Sequence, residues 1–489
     1  MDDLTVLTQP PAVSAPWPTP GNGQVYTPRG VFAPPQDGGR YFKTDDQGKT
    51  AFKVRSLARD IVGLGPLASG IDGRTWSYEN GVWRPAPKAI HERAAHLMGQ
   101  RFRLNHVKDA AEIIRVLQPT ITCDPIPEFI NFRNGLYEWQ TGLLRPHTPE
   151  IHSTVQLPTN WNPNATCPEF DKFLASIVAP DDVPLVWELI GYLMYNGNPF
   201  HKAVMFHGSG RNGKGTLIRV LNALLGRDNV TSVTLQALAN ERFGPANLFG
   251  KLANLAGDID GTYLEQTAMF KAITGGDVIT AEYKFKDAFD FTPYAVPVFS
   301  ANKIPGSADT TNGYFSRFLV ISFPNNFTGR EDRNLDYRLQ QPHEIEGIVA
   351  KGLIALDHVM SRGNFLETAS TKEAMEDFRR KVDQVQTWLE EKDWTIDTEA
   401  PIARRDVLYE SYKTWADNEG FKKPLRASEF YGRLRALGCT DAKVKGVRYL
   451  RGIRLLTNDE LLAGDTEEGD QAATPPPPWA QQPPPGWSK

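Results

Sequence analysis

The run Gly208-Ser209-Gly210-Arg211-Asn212-Gly213-Lys214-Gly215-Thr216 carries what a bound polyphosphate needs: a backbone able to turn its N–H groups inward, a cation and a hydroxyl. Gly208, Gly210 and Gly213 permit the tight turn, because glycine enters left-handed conformations without a side-chain clash. Lys214 supplies a point charge for the β- and γ-phosphates. The flanks fit as well. Ala203-Val204-Met205-Phe206 reads as a short buried strand, and Leu217–Leu225 as an amphipathic helix stopped by Gly226, so the loop opens onto a helix N-terminus. An ordinary tight turn would leave the lysine unexplained. Gly215 stands where a serine or threonine commonly offers its hydroxyl to Mg²⁺, and the hydroxyl comes one residue later, at Thr216. One residue rotates a side chain by ~100° about a helix axis. Thr216 is therefore expected to reach the metal through water or after adjustment of the helix start.

Turnover of such a nucleotide calls for acids, a group that senses the γ-phosphate and a charge for the transition state. Leu252–Gly257 reads as a strand leading to Asp258 and Asp260, a pair able to hold Mg²⁺ and to orient an attacking water. Val296–Ala301 is a second apolar strand, ending at the amide of Asn302. A polar stretch from Asp309 then leads to Arg317 at the entry of the strand-like run Phe318–Phe323, where a guanidinium could project towards a neighbour's nucleotide. Taken singly, an acidic strand end, a turn asparagine and a surface arginine account for these residues equally well. Between the acids and Asn302, Ala281–Phe291 reads as two alternating segments around a polar bend. Strand alternation would put Lys284 and Lys286 on one face and Tyr283 and Phe285 on the other. Such a hairpin can hold a phosphate backbone and stack a base, or simply be exposed.

The elements that must position these groups follow from the pattern. Residues 181–345 alternate apolar runs with helices, as in a mostly parallel α/β sheet. Ahead of them, residues 41–180 mix helical stretches (52–62, 89–104 and 109–117) with alternating segments at 75–83 and 130–139. Residues 346–377 read as a helical linker, and 378–456 as two or three helices followed by a short basic hairpin at 443–456. Residues 1–40 are rich in proline and glycine, and 457–489 are acidic and then proline-rich; both are expected to be disordered.

Of the 489 residues 40% are hydrophobic and 23% charged, an ordinary globular balance, and the formal charge is −4. That total hides an asymmetry: residues 421–456 hold ten basic side chains against Glu429 and Asp441, whereas 457–489 hold six acids and one lysine. A basic module followed by an acidic tail points to nucleic acid, with Lys443, Lys445 and Arg448 as the first candidates, or to a solvated basic face. Cys123, Cys167 and Cys439 lie far apart without a CxxC pair, which suggests neither a disulfide framework nor a zinc site. No apolar run approaches the ~18 residues of a membrane span, and the start lacks the pattern of a secretory signal. A cytoplasmic location is expected, in a host cytoplasm for a viral source.

Read in order, Gly208–Thr216, Asn254 to Asp258, Phe270-Lys271, Thr274-Gly275-Gly276-Asp277, Lys284-Phe285-Lys286, Phe299-Ser300-Ala301-Asn302 and Gly313 to Arg317 resemble the superfamily 3 helicase half of phage, plasmid and poxvirus primase–helicases. Asn131–Gly135 and Leu189-Ile190-Gly191-Tyr192 extend the resemblance upstream. Tyr409, Tyr412, Trp415, Gly446 and Gly452-Ile453 extend it into a segment similar to the family's C-terminal winged helix. The resemblance implies an AAA+-like P-loop NTPase core with a mixed, collar-like N-terminal domain, assembly as a homo-hexamer, ATP and Mg²⁺, and travel on single-stranded or forked DNA. It gives Lys214 the Walker A role, Asp258 and Asp260 the Walker B role, Asn302 the sensor and Arg317 the arginine finger. Asp258 and Thr216 would stand nearest the metal, and Lys284 and Lys286 would line the ring's channel. Ser316 occupies a place where relatives often carry a second arginine. Residues 41–118 are too short for a usual primase core, so a separate primase or replication protein is the expected partner. The rivals are an origin-binding initiator in which ATP controls assembly, a small-molecule kinase suggested by Gly213-Lys214-Gly215-Thr216, and a virion packaging ATPase. The kinase lacks an acceptor or lid segment, and the ordered motifs do not favour packaging.

Overall fold

The structure, a computed structural model, describes residues 38–257, 259, 263–302, 304–307, 309–397, 399–419, 421 and 424–456. The proline- and glycine-rich start to residue 37, the acidic tail from 457, Lys422, Lys423, Asp258 and Asp260 lie outside the described residues. The chain divides into two compact units, one of residues up to 304 with 311–376 and one of 305–310 with residues from 377.

At the centre of the first unit, five short runs form a wholly parallel sheet: β1 (Ala203–His207), β2 (Val230–Thr231), β3 (Ala253–Ala256), β4 (Val296–Ala301) and β5 (Phe318–Ser322). Their spatial order is β2-β3-β4-β1-β5. Every residue of β3 and β4 is buried, as is all of β1 before His207. Uninterrupted apolar strands of this kind need cover on both faces. Part of that cover comes from α1 (Val183–Met194), α2 (Lys214–Leu225), α3 (Ala268–Gly275) and α4 (Pro342–Arg362). Proline is tolerated at the start of α4 because the first-turn N–H groups have no helical partner. At the other end Gly363, in the left-handed region, donates its N–H to the carbonyls of Val359 and Met360.

The expected linker at 346–377 is helical at its start but does not link. Ile345, Ile348, Val349, Leu353 and Leu356 recur at helical spacing and enter the same core as Leu189, Leu193, Val204, Phe206 and Leu221. Helices α1 and α4 touch backbone to backbone, since a Cβ on Gly191 would collide with the carbonyl oxygen of Gly352.

Upstream, helices Val54–Gly63, Ala89–Met98 and Leu104–Leu117 enclose their own small core around Leu57, Ile61, Leu97, Val107 and Ile114. The second helix stops six residues short of the expected 104, at Gly99 with φ +52°, and the third starts at 104 rather than 109. Both alternating segments prove to be hairpins, Thr75–Glu79 with Val82–Pro85 and Phe129–Phe132 with Gly135–Glu138. Ile130, Phe132 and Tyr137 pack into the core of the parallel sheet. The block that begins at residue 41 therefore shares its interior with the sheet, and no compact boundary falls at 180.

In the second unit, helices Gln384–Glu391, Arg405–Asn418 and Ala427–Ala436 close around Trp388, Tyr412, Trp415, Phe430 and Leu434. They are followed by the antiparallel hairpin Thr440–Val444 and Val447–Arg451, which Ala403–Arg404 extends to three strands. The three cysteines are free, and burial pushes their thiols up to about 12 at Cys123 and Cys167 and about 11 at Cys439, so none is a ready thiolate. No helix among the described residues is long and apolar enough to cross a membrane.

Candidate active site

The glycine loop leaves β1 at His207 and enters α2 at Lys214. Gly213 holds φ +92° with Ile177 Cγ2 2.5 Å from where a Cβ would sit, so both the backbone and the space demand glycine. Asn212, nearly buried, ties the loop down by donating to the Phe323 carbonyl at 3.3 Å. Lys214 is only 3% exposed, and its Nζ donates to Gly208 O (2.7 Å), Asn212 Oδ1 (3.1 Å) and Asn302 Oδ1 (3.0 Å). The last contact follows from the sheet. Strand β4 lies beside β1 with Ala301 opposite His207, so the residue after β4 meets the start of the loop. A cradle of ≈ 300 Å³ is lined by Gly210 to Thr216, Arg219 and Asn302. It adjoins a cleft of ≈ 610 Å³ whose apolar walls are Phe173, Ile177, Phe327 and Leu335. A polyphosphate fits the first, and a planar base has apolar walls in the second.

Thr216 lines the cradle, but its hydroxyl is engaged by a guanidinium. Its Oγ1 accepts from Arg219 Nη2 at 3.0 Å, and a divalent cation beside a guanidinium is repelled. Asp258 and Asp260 lie outside the described residues. A direct Mg²⁺ ligand set is therefore not assembled among the described residues. Strand β3 runs next to β4, and Ile259 just beyond it donates its N–H to Ser300 O at 2.9 Å. Asn254 on β3, part of the resemblance, braces the fold, because its amide exchanges two hydrogen bonds with the backbone of Val233.

Arg317 sits at the far end of the sheet. Its carbonyl accepts from Ala203 N at 2.6 Å, where β5 and β1 both begin, and its Nη1 donates to Thr274 Oγ1 of α3 at 3.0 Å. The whole length of β1 separates it from the glycine loop of its own chain.

The lysine hairpin differs from the expected alternation. Its strands are Ile279–Glu282 and Ala288–Phe291, and residues 283–287 form the bend. Lys284 and Lys286 therefore lie in a loop rather than on one face of a strand. Phe285 between them has φ +63° and is 91% exposed, with Lys284 Nζ 5.1 Å from its ring. Tyr283 turns inward, stacks on Phe289 at 5.5 Å and donates to Ala246 O at 3.1 Å; burial pushes its hydroxyl above the ordinary phenol range. Phe289 and Phe291 both pack against Phe249.

In the second unit, Lys443 and Arg448 stand directly opposite each other across the hairpin, both exposed. Like charges so paired destabilise a bare hairpin and favour a bound anion. Lys445 (φ +46°) and Gly446 (φ +85°) make the two-residue turn between the strands, a conformation in which glycine is favoured.

Residues 39–179 match a family model described as D5 N terminal like, and residues 206–317 match a family of unknown function, DUF5906. "Putative helicase L207/L206" of Acanthamoeba polyphaga mimivirus is 24% identical over 245 residues, 47% of this chain and 25% of that protein. "Putative helicase 121R" of Invertebrate iridescent virus 3 is 22% identical over 372 residues, 67% of this chain and 39% of that protein. The chain thus spans between a quarter and two fifths of the length of these relatives. Among solved structures, the apo NrS-1 C terminal region aligns with a TM-score of 0.44 and 13% identity, over 81% of this chain and 98% of that one. The matches in sequence support a D5-like primase–helicase family.

Two neighbourhoods bring in partners that no sequence motif singles out. Arg219 is held by Asp336 through two hydrogen bonds of 2.8 and 3.2 Å, and Arg211 by Glu331 at 2.7 Å, so an acidic segment after β5 reaches back over the loop. Arg74, 209 residues from Tyr283, lies over that ring at 5.1 Å and pairs with the buried Asp72. The only sequence signal for either was charge, which many surface residues share.

Proposed function

We propose that this chain is an ATP-driven DNA helicase motor of the superfamily 3, AAA+-like type, with a P-loop at Gly208–Thr216 and a winged-helix module at 378–456. In this proposal it works as a homo-hexameric ring on single-stranded and forked DNA in phage or plasmid replication, with a separate primase or replication protein as partner. The observation that carries the proposal is the meeting of Lys214 with Asn302 in the glycine cradle. Phosphate oxygens are stronger partners for the Lys214 ammonium than the carbonyl and amide oxygens of Gly208, Asn212 and Asn302 that it holds here. Its departure would free the Asn302 amide to hold the γ-phosphate or the attacking water. The order β3-β4-β1 supports this, because it sets the strand leading to Asp258 and Asp260, the strand leading to Asn302 and the strand leading to the loop side by side. ATP is the nucleotide we assign; Mg²⁺, when bound, would neutralise triphosphate charge.

Arg317, at the opposite end of β1, serves a neighbouring subunit's nucleotide as its arginine finger. Lys284, Phe285 and Lys286 grip single-stranded DNA, and Lys443, Lys445 and Arg448 contact the duplex or fork. A second proposal, an origin-binding initiator in which ATP controls assembly, draws on the like-charge cost of Lys443 opposite Arg448. The deciding experiment measures ATP turnover by the full chain with and without single-stranded DNA, alongside separation of a forked duplex. Turnover raised by single strands together with strand separation supports the motor. Tight duplex binding with ATP bound but not turned over supports the initiator, and absence of ATP binding sinks both.

A further inference from the structure

We propose that Arg219 is a second phosphate-binding cation of the nucleotide site, held off by Asp336 until nucleotide enters. The proposal rests on the nucleotide assignment above and adds a residue to it. Arg219 lies one helical turn beyond Gly215 on α2 and lines both the phosphate-sized cradle and the wider cleft. Arg219 thus borders both cavities, where it would meet the α- and β-phosphates that ADP and ATP share.

The same geometry accounts for Gly215. A Cβ at that position would come 3.3 Å from Arg219 Nη1, and a serine or threonine hydroxyl would reach further into the guanidinium's place. Glycine at 215 thus leaves room for the half-exposed guanidinium of Arg219 close over the loop. Thr216 Oγ1 steadies that cation at 3.0 Å.

Asp336 competes for it. The Arg219–Asp336 pair is 54% and 41% exposed, and an ion pair so open to water is weak. A phosphate offers the guanidinium fork a bidentate partner of higher charge, so the exchange favours nucleotide. Asp336 lies just beyond the segment that carries Glu331, which grips Arg211 of the loop, so arriving phosphate loosens the segment at two points.

Binding of ADP and of ATP to the purified full chain, followed with a fluorescent-labelled analogue of each, tests this. Arg219→Ala is expected to weaken ADP and ATP alike, by roughly tenfold, with KM raised more than kcat is lowered. Arg219→Lys should recover part of the loss. Asp336→Asn should change affinity in the opposite direction, tightening both nucleotides, because it releases the guanidinium. A pair that merely pins the segment to α2 would make both variants move affinity the same way, and that result overturns the proposal. Unchanged ADP affinity in Arg219→Ala overturns it too. Failure of the wild-type chain to bind either nucleotide, or normal binding by Lys214→Ala, would instead refute the nucleotide site itself.

Discussion

Replacing Arg317 by alanine in one population of subunits and Lys214 by alanine in another asks whether each nucleotide is served by two chains. Five residues of β1 at ~3.3 Å each set Arg317 about 16 Å from the loop of its own chain. It donates to Thr274 of α3, and an arginine side chain is too short to span that separation to its own loop. Loss of an arginine finger costs about a thousandfold in turnover, or ~4 kcal/mol of transition-state stabilisation. Arg317→Ala alone should therefore be nearly inactive while still binding nucleotide, and Lys214→Ala alone should be inactive because it cannot hold the triphosphate. In a random equal mixture, an intact lysine faces a neighbour's intact arginine at about a quarter of sites, if each site is shared by two subunits. ATP turnover in the mixture should accordingly recover to about a quarter of the wild-type rate, as followed by phosphate release after co-assembly is verified by light scattering. A co-assembled mixture that stays as inactive as its components would refute a role for Arg317 in trans.

Three further outcomes are expected. Phe285→Ala combined with Lys284→Ala and Lys286→Ala should abolish the stimulation of ATP turnover by single-stranded DNA and stop unwinding of a fork; normal unwinding would clear the hairpin of any grip on DNA. Replacing Lys443, Lys445 and Arg448 by alanine should weaken duplex binding and flatten the dependence of log affinity on log salt by roughly three phosphate contacts, as read from binding at several salt concentrations. Gly191→Ala should force α1 and α4 apart where their backbones touch, costing about 1–3 kcal/mol and lowering the melting temperature seen by circular dichroism; an unshifted melt would mean that the contact at Gly352 relaxes freely.

The glycine loop is legible in the sequence because its chemistry is local: strand, glycines, lysine and helix follow one another closely, and each restricts the next. Strand order is not, since only the three-dimensional sheet places β4 between β3 and β1 and so brings Asn302 to Lys214 across 88 residues. The alternation of Lys284, Phe285 and Lys286 misleads for a definable reason. Polar and aromatic residues alternate in an exposed bend as readily as in a strand, and the period that decides the register is the buried one, Ile279, Ala281, Phe289 and Phe291. Helix α4 reads as a connection in the sequence because a helix's apolar stripe shows amphipathicity but not what it packs against. Arg219 carries no signal at all: its partner Asp336 is 117 residues away, and an exposed arginine on a helix is commonplace until the cavity beneath it is seen.

The anchoring of the 279–291 hairpin has a mechanical side. Phe289 and Phe291 bear on Phe249, and Tyr283 is caught between Ala246 O and Arg74, which Asp72 fixes in turn. Such a hairpin is a cantilever, clamped at its base and free only over its bend. The deflection of a cantilever's tip is governed by the stiffness of its clamp as much as by the force applied. Part of this clamp is supplied by Asp72 and Arg74, which lie in a turn of a different sheet from the one that carries the nucleotide loop. The upstream sheet therefore stiffens the base of the hairpin, and loosening the Asp72–Arg74 pair would soften that base without altering either the glycine loop or the tip.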